Sequence, residues 1–544
     1  METQVNQNPG SKKRPIIIGL AIIALLAIGA TAYAMFIDLS PRELYLKSEM
    51  NTFKTLNESV NDNFKDALSL QEKQAKEAYK SEARVSVDMD TEKLGAGGME
   101  AAMIGSILKS SELKFTTQHD PKKEEGQVNM ALTVNDADLV KADFYQNNKE
   151  TALNVPAAYD KRVYFPNAKF GDVMRKFDPA YVGMEKLENF FKAYDGYITS
   201  EEERDDLFKE YAKVYADSIK EDNVKLKENV DFKGEKLRQL TVTLSEKETK
   251  DLIVNFLKKI ESDDKLLDAM AEQASLSGGL PTGTMAPTPG AMSKEETKKE
   301  LKNSLKEAQK AVKENASFPE GMKQVVLIDS DENVVKRDLK LSAAANGGEV
   351  IPMNYASESW TKDDVTNSSW TLNAGPEGQT VLADVKMQSE PKGKGMKRDI
   401  KAKFESAENG STQGIGFHVK GEGTSEKSNW TAELVPAGDM PAQIPQATLE
   451  IEHKGDQNLD KDFANHDYKV RLISKDPSLG DLNVGLNIKT KTTFGKKLKF
   501  PELAEGKSVN LAEMSDAEMM GLMSEIQRNL QQFMGENASF MQGL

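Results

Sequence analysis

RVSVDMD, residues Arg84–Asp90, alternates without a break: Val85, Val87 and Met89 fall on one side of an extended chain, and Arg84, Ser86, Asp88 and Asp90 on the other. Successive side chains of a strand point to opposite faces, so this period predicts a strand with one covered and one solvated face. The same pattern, less perfect, recurs in Glu112–His119, Gln127–Val134 and Leu139–Tyr145, followed by short runs at Ala152–Val155 and Lys161–Phe165. Pro121, Gly126, Asn135-Asp136 and Asn147-Asn148 separate them, and these breaks are too short for crossover helices. They predict an antiparallel meander.

Helical patterns frame the meander. Ser40-Pro41-Arg42-Glu43 has a cap residue, a proline at the first helical position and a glutamate at the third, which is a capping-box start. Phe53, Leu56, Val60, Phe64 and Ala67 then recur every three or four residues, predicting a long amphipathic helix over 40–80 that packs on this chain's own sheet. A mostly helical segment is expected over about 180–222, with Leu187, Phe190, Phe191 and Tyr194 as one apolar cluster. Another helix starts at Ser245. Ser277–Gly290 holds four glycines and three prolines and reads as linker.

A second strand-rich region follows a charged helix at about Lys294–Lys313. Its strand candidates include Lys323–Ile328, Val334–Leu341, Ser369–Leu372, Val381–Met387, Lys397–Phe404, Gly414–Val419, Trp430–Val435, Ala447–His453, Tyr468–Ser474 and Leu482–Lys489, and a last helix begins at Ser515. The expected division is a tail 1–15, an anchor 16–37, the helix 40–80, a sheet-plus-helix domain 81–275, a linker 276–293, a second such domain 294–535 and a tail 536–544. The expected fold class is α+β: an N-terminal transmembrane helix, then long antiparallel meander sheets backed by amphipathic helices.

The anchor is read from Ile16–Ile37, 22 uncharged and mainly apolar residues. As a helix they extend about 33 Å, matching a hydrocarbon layer of roughly 30 Å. Lys12, Lys13 and Arg14 precede the segment, so the positive-inside bias predicts a single-pass protein of the cell membrane, N-terminus inside and C-terminus outside. A cleaved signal peptide is the rival reading, disfavoured by the length of the apolar run. The membrane is thus an expected partner, joined by a lipid, a wall polymer or an envelope protein. The formal charge of −15 argues against nucleic acid. The chain has no cysteine, which excludes disulfides, thiol chemistry and a lipid-modified cysteine, and which suggests a Gram-positive envelope.

The run Leu139–Tyr145, the stretch Tyr159-Asp160-Lys161-Arg162-Val163-Tyr164-Phe165-Pro166 and the helix after it resemble the extracytoplasmic lipoprotein-carrier shape of the LolA/LppX type over about residues 80–260. The overall plan resembles membrane-anchored surface proteins of Gram-positive bacteria. The carrier resemblance implies an acyl chain held between sheet and helices and carries over no functional residue.

No reaction motif appears: there is no HExxH, no GxSxG and no phosphate-binding glycine loop. The expected function is a non-enzymatic binding or structural role in the cell envelope, with a lipid or other hydrophobic ligand. The alternatives are an envelope hydrolase whose site is assembled from distant loops, and a sensor ectodomain that signals through a partner. No cofactor is expected except calcium, for which Asp456, Asn458, Asp460, Asp462 and Asp467 offer alternating oxygens; Lys461 stands where a calcium loop needs glycine. Trp360 is a candidate exposed aromatic contact, and Met519 and Met523 of the last helix are candidates for a partner surface.

Overall fold

The computed structural model describes residues 39–537 apart from 90–107, 136, 192–200, 280–293, 346–347, 377, 409, 439–445, 477–479, 496 and 505. The expected anchor, Ile16–Ile37, lies outside the described residues. Among the described residues no helix is long and apolar enough to cross a membrane. The expected fold class is corrected accordingly: the structure is α+β with a large mixed sheet backed by helices, and no described helix heads it as a span. The single-pass, N-inside topology and the membrane partner at 16–37 depended on such a helix and are set aside with it.

Among the described residues twenty-one strands are linked by hydrogen-bond ladders, the shortest of them, β9 (Ala316–Ser317), pairing with the end of β11. The longest part is a meander in which each strand pairs with the next: β10 (Met322–Ile328), β11 (Val334–Ala345), β12 (Ile351–Lys362), β13 (Val365–Ala374), β14 (Gln379–Lys392), β15 (Gly395–Glu408), β16 (Ser411–Gly423), β17 (Lys427–Gly438), β18 (Gln446–Asn458), β19 (Phe463–Asp476) and β20 (Gly480–Phe494). At one side β10 pairs with β8 (Glu235–Leu244), itself paired with β7 (Val224–Phe232). At the other, β20 pairs with β1 (Tyr79–Met89), and the ladder continues through β2 (Ser111–Asp120), β3 (Glu125–Val134), β4 (Ala137–Gln146), β5 (Glu150–Asn154) and β6 (Arg162–Pro166). The last partner, β21 (Ser508–Asn510), joins β6 in parallel. Strands of the two expected sheet regions are therefore hydrogen-bonded to one another in one ladder.

Helices cover this sheet at both flanks. Over β7 to β12 lie α1 (Pro41–Lys76), α3 (Glu201–Ser218), α4 (Glu246–Ser262), α5 (Asp264–Gly279) and α6 (Lys294–Glu314), with α2 (Phe170–Phe177) and α7 (Asp516–Glu536) at the β6 end. The main core joins Tyr45, Leu46, Tyr215, Leu252, Phe256, Leu257 and Leu305 of the helices to Leu240, Val242, Val326 and Leu339 of the sheet. A smaller core packs Met519 and Leu522 of α7 on Val173 and Leu511. Lys176 serves α7's approach by donating to the carbonyls of Leu511, Ala512 and Met514 at 3.0, 2.9 and 2.6 Å.

The capping boxes form as the sequence predicts. Ser40, Ser245 and Ser515 each accept from the third-residue amide while Glu43, Glu248 and Glu518 reach back. Residues 181–190 are not helical until the last of them, contrary to the helical reading of that stretch. Asn189 donates to the Glu124 carbonyl at 2.7 Å, and Phe190 N–H donates to Gln146 Oε1 at 2.7 Å, which ties the segment to the start of β3 and the end of β4. It brings Phe191 onto the sheet, stacked on His119 with ring centroids 5.5 Å apart.

His119 is buried, also edge-on to Tyr79, and burial lowers its pKa from the ordinary 6.5 to about 4. A histidine held neutral in the folded state makes the unfolded chain the better proton binder between those values. Stability is therefore complete above pH 6.5, falls as pH drops toward 4, and levels off below it, by at most about 3 kcal/mol. Urea titrations from pH 7.5 to 4 should show this slope reduced in His119→Phe.

Candidate functional site

Cross-strand partners in an antiparallel ladder point to the same face, so the register sorts every side chain of the meander. One row runs Tyr355, Leu372, Ala383, Phe404 and Ile415 across β12 to β16. The next runs Trp370, Val385, Ala402, Phe417 and Leu434. On β17 to β1 the same face carries Trp430, Ile451, Val470, Leu486 and Val87, with Leu449, Leu472, Val484 and Met89 two residues along. The opposite face carries Asp384, Lys386, Lys401, Lys403, Glu422, Glu433, Glu450, Glu452, Lys469 and Lys489.

The apolar face is the one the helices cover over β7 to β12, since Val242, Leu339, Met353 and Tyr355 belong to it and to the main core. Beyond β12 the apolar face continues, and among the described residues only α1 crosses it there. Phe404 and Phe417, edge-to-face at 6.5 Å, remain 44% and 40% exposed there. Trp430 lies over Gly421, where a Cβ would meet its ring at 2.3 Å, so glycine is what lets the indole lie flat along the sheet.

The α1 helix fixes which way the sheet curves. Near its start, Glu49 pairs with Arg337 and accepts from Gln324, both on the apolar face. Tyr45 and Tyr215, hydrogen-bonded at 2.8 Å, complete this buried knot. Burial and the nearby Glu49 carboxylate raise both phenols, Tyr215 to about 12 and Tyr45 well above its ordinary value. Glu49 in turn holds the Arg337 guanidinium above its ordinary value, against burial. Farther along, Thr52 accepts from Val334 N–H at 2.7 Å, the Asp66 carbonyl accepts from Gln457 at 2.9 Å, and Lys73 pairs with Asp462 at 2.7 Å and lies over the Phe494 ring.

From Thr52 to Asp66 is about 21 Å of helix, whereas β11 and β18 are seven strand spacings apart, about 34 Å along the sheet. From Thr52 to Lys73 is about 32 Å of helix, against eight spacings or about 38 Å. A rod bonded to one face at two places, and shorter than the sheet between them, requires that face to be concave. The helix is a chord across one end of an apolar trough. Leu56, two turns beyond Glu49 on the same side of α1, and Phe64 are 59% and 57% exposed.

The residues singled out in the sequence fall elsewhere. Trp360 is on the outer, polar face, with the Lys233 ammonium 3.4 Å from its ring centroid. Met519 is buried under α7, while Met523 is exposed. The five oxygen donors do not converge: Asp456 and Asp467 lie on the outer face of β18 and β19, Asn458 accepts from Lys461 N–H as a turn cap, Asp460 is exposed in that turn, and Asp462 is paired with Lys73. Among the described residues no group of three or more histidine, cysteine, aspartate or glutamate side chains is placed to hold a metal ion.

Two groupings on the concave face were not legible as such in the sequence. His453 and His466, neighbours across β18 and β19, hydrogen-bond ring to ring at 3.1 Å beside Tyr468, and Gly455 leaves them room. Burial lowers the pKa of both. Arg398 stands on the concave face of β15 in line with Ile400, Ala402 and Phe404, opposite Ser389 and Gly421. Its signal was the alternation Met396, Arg398, Ile400, in which a cation occupies an apolar position.

No family model matches the chain, and no curated protein matches it. Several solved structures align with the chain at low similarity. Pseudomonas aeruginosa OccK2 (OpdF) is 6% identical over 77% of this chain and 97% of its own, with a TM-score of 0.25. The anion-selective porin from Comamonas acidovorans is 7% identical over 77% and 98%, TM-score 0.24. Acinetobacter baumannii OccAB4 is 7% identical over 78% and 100%, TM-score 0.24. Agreement this low carries no argument about the present chain. The ladder itself corrects the resemblance drawn from sequence: β1 to β6 are not a carrier sheet of the LolA/LppX type closed on itself but continue through β1 and β20 into the long meander, and the Gram-positive envelope assignment, which leaned on the same plan, is withdrawn with it. The physical reason for the miss is that a short meander followed by a helix looks alike in a small carrier sheet and in a segment of this much longer one.

Proposed function

We propose that the chain has a non-enzymatic binding or transport role and that its ligand is a hydrocarbon chain lying on the concave face. The single observation behind this reading is the ladder register, which puts the apolar side chains of β13 to β20 on one face, crossed among the described residues by α1 alone. Val381, Phe404, Phe417 and Leu472 on this face stand 60%, 44%, 40% and 39% exposed, and neighbouring exposed apolar side chains of this kind mark a surface that takes a ligand or partner.

Polymethylene suits this surface better than a peptide does. The strand amides and carbonyls beneath it are already bonded in the ladder, so a peptide laid across the face would bury its own polar groups unsatisfied. An alkyl chain has none to satisfy and contributes about 0.8 kcal/mol for each methylene removed from water. The full chain, extracted in mild detergent and exchanged into buffer, should carry or take up fatty-acyl chains detectable by native mass spectrometry, and should bind the fluorescent fatty acid cis-parinaric acid saturably. Absence of both co-purifying lipid and saturable binding would overturn the reading.

A further inference from the structure

Helix α1 is fastened to the sheet at two places along its length. At its start Leu44, Tyr45, Leu46, Ser48 and Glu49 are buried, and the turn and strand after β10 hold the next residues: Asn51 donates to the Asp331 carbonyl and Thr52 accepts from Val334 N–H. Farther along, the β18–β19 hairpin takes over. Gln457 donates to the Asp66 carbonyl, and Lys73 donates to the Leu459 carbonyl at 2.6 Å.

Between these fastenings the helix turns an apolar side toward the trough. At about 100° per residue, Leu56 stands about 20° and Phe64 about 60° around α1 from Glu49, whose carboxylate reaches Arg337 and Gln324 on the concave face. A helix lying directly on that face would bury both side chains, as it buries Glu49. Instead they are 59% and 57% exposed. The chord geometry gives the reason: the floor falls away beneath the middle of the helix, so its underside and the apolar side chains of β13 to β17 face one another across a gap.

We propose that α1 is the second wall of the binding site, and that the hydrocarbon chain passes beneath it, held between Leu56 and Phe64 above and the apolar floor below. The inference rests on the hydrocarbon reading above and adds the residues that close the site over the ligand. A chain lying on an open sheet is covered on one side only, whereas beneath α1 its methylenes leave water on the other side as well. Both walls have their backbone donors and acceptors bonded already, one in a helix and one in a ladder. A ligand with polar groups along its length would find few partners in the gap.

The test uses the full chain and cis-parinaric acid. Leu56→Gln with Phe64→Gln introduces polar side chains through a good helix former and should weaken binding at least tenfold, whereas Leu56→Met with Phe64→Leu should stay within twofold of wild type. Lys65→Gln, exposed on the opposite side of α1, should leave binding unchanged. Circular dichroism would check that each variant is folded. In the wild-type protein, palmitic acid carrying a photoreactive diazirine at mid-chain should form adducts, located by mass spectrometry, on α1 between Thr52 and Asp66 as well as on the floor strands. Adducts on the floor with none on α1, or wild-type affinity in the double glutamine variant, would overturn the proposal and leave the hydrocarbon reading standing, since something other than the ligand would then cover the underside of α1. Absence of both binding and adducts in the wild-type protein would instead sink the hydrocarbon reading, and this inference with it.

Discussion

Glu49→Ala should destabilise the protein by about 3–5 kcal/mol, among the largest single-residue effects expected in this fold. Glu49 is 1% exposed and its carboxylate is gripped by both arms of the Arg337 guanidinium and by Gln324. Removing it leaves a guanidinium that cannot lose its proton in a site walled by Tyr45 and Tyr215. Glu49→Gln keeps the shape and one acceptor and should recover only part of the loss. The double variant Glu49→Leu with Arg337→Met removes both charges and should be much closer to wild type than either single change, because the cost lies in an uncompensated buried charge. Urea unfolding of the four proteins decides the matter. A Glu49→Ala midpoint equal to wild type would mean that the pair does not anchor α1.

The second large effect is on ligand binding. Phe404→Asp and Phe417→Asp together place two carboxylates in the middle of the trough floor, where an alkyl tail would have to strip their water. Binding of cis-parinaric acid should weaken at least a hundredfold, whereas stability should change by less than about 1 kcal/mol, since both rings are already near half exposed and belong to neither helical core. The outer-face control Lys403→Asp should leave binding within twofold. Retained tight binding in the double variant would move the ligand off this face.

Much of the element order was legible because local chemistry decides it. The capping boxes at Ser40, Ser245 and Ser515 begin helices where two backbone donors find side-chain acceptors within four residues. The strands at Arg84, Lys397 and Tyr468 follow from period-two alternation. What stayed hidden depends on pairings between residues far apart in sequence. That β20 would pair with β1, and β8 with β10, is set by ladders across more than 390 and more than 70 residues, which no local pattern encodes. The 181–190 segment carries helix-like spacing, yet 181–189 are not helical, and Asn189 and Phe190 are bonded to Glu124, just before β3, and to Gln146 of β4. Strand β12 was missed because Asn354-Tyr355-Ala356-Ser357 has too few apolar residues to signal its alternation, and only its neighbours show which side is covered.

The candidate site shows the same limit from another side. Trp360 looked free because its neighbours are polar, but its ring is matched with Lys233 from a different hairpin. Arg398 looked like one of many surface cations, and only the register reveals that Lys397, Asp399 and Lys401 face outward while it faces in. The acidic alternation at Asp456–Asp467 was real in sequence but is split by the strand pleat and by the turn at Leu459–Lys461.

The long first helix gives the trough a fixed gauge. A curved sheet alone is a soft spring, free to flatten or coil as its twist allows, whereas α1 works like the string of an archer's bow, tied at Thr52 and Asn51 on one limb and at Asp66 and Lys73 on the other. The mouth is then as wide as the number of helical residues between the knots, so the width open to the proposed ligand is set by a length of helix rather than by the strands of the floor. Lengthening that string by one turn would slacken the bow by about 5 Å without altering a single residue of the floor.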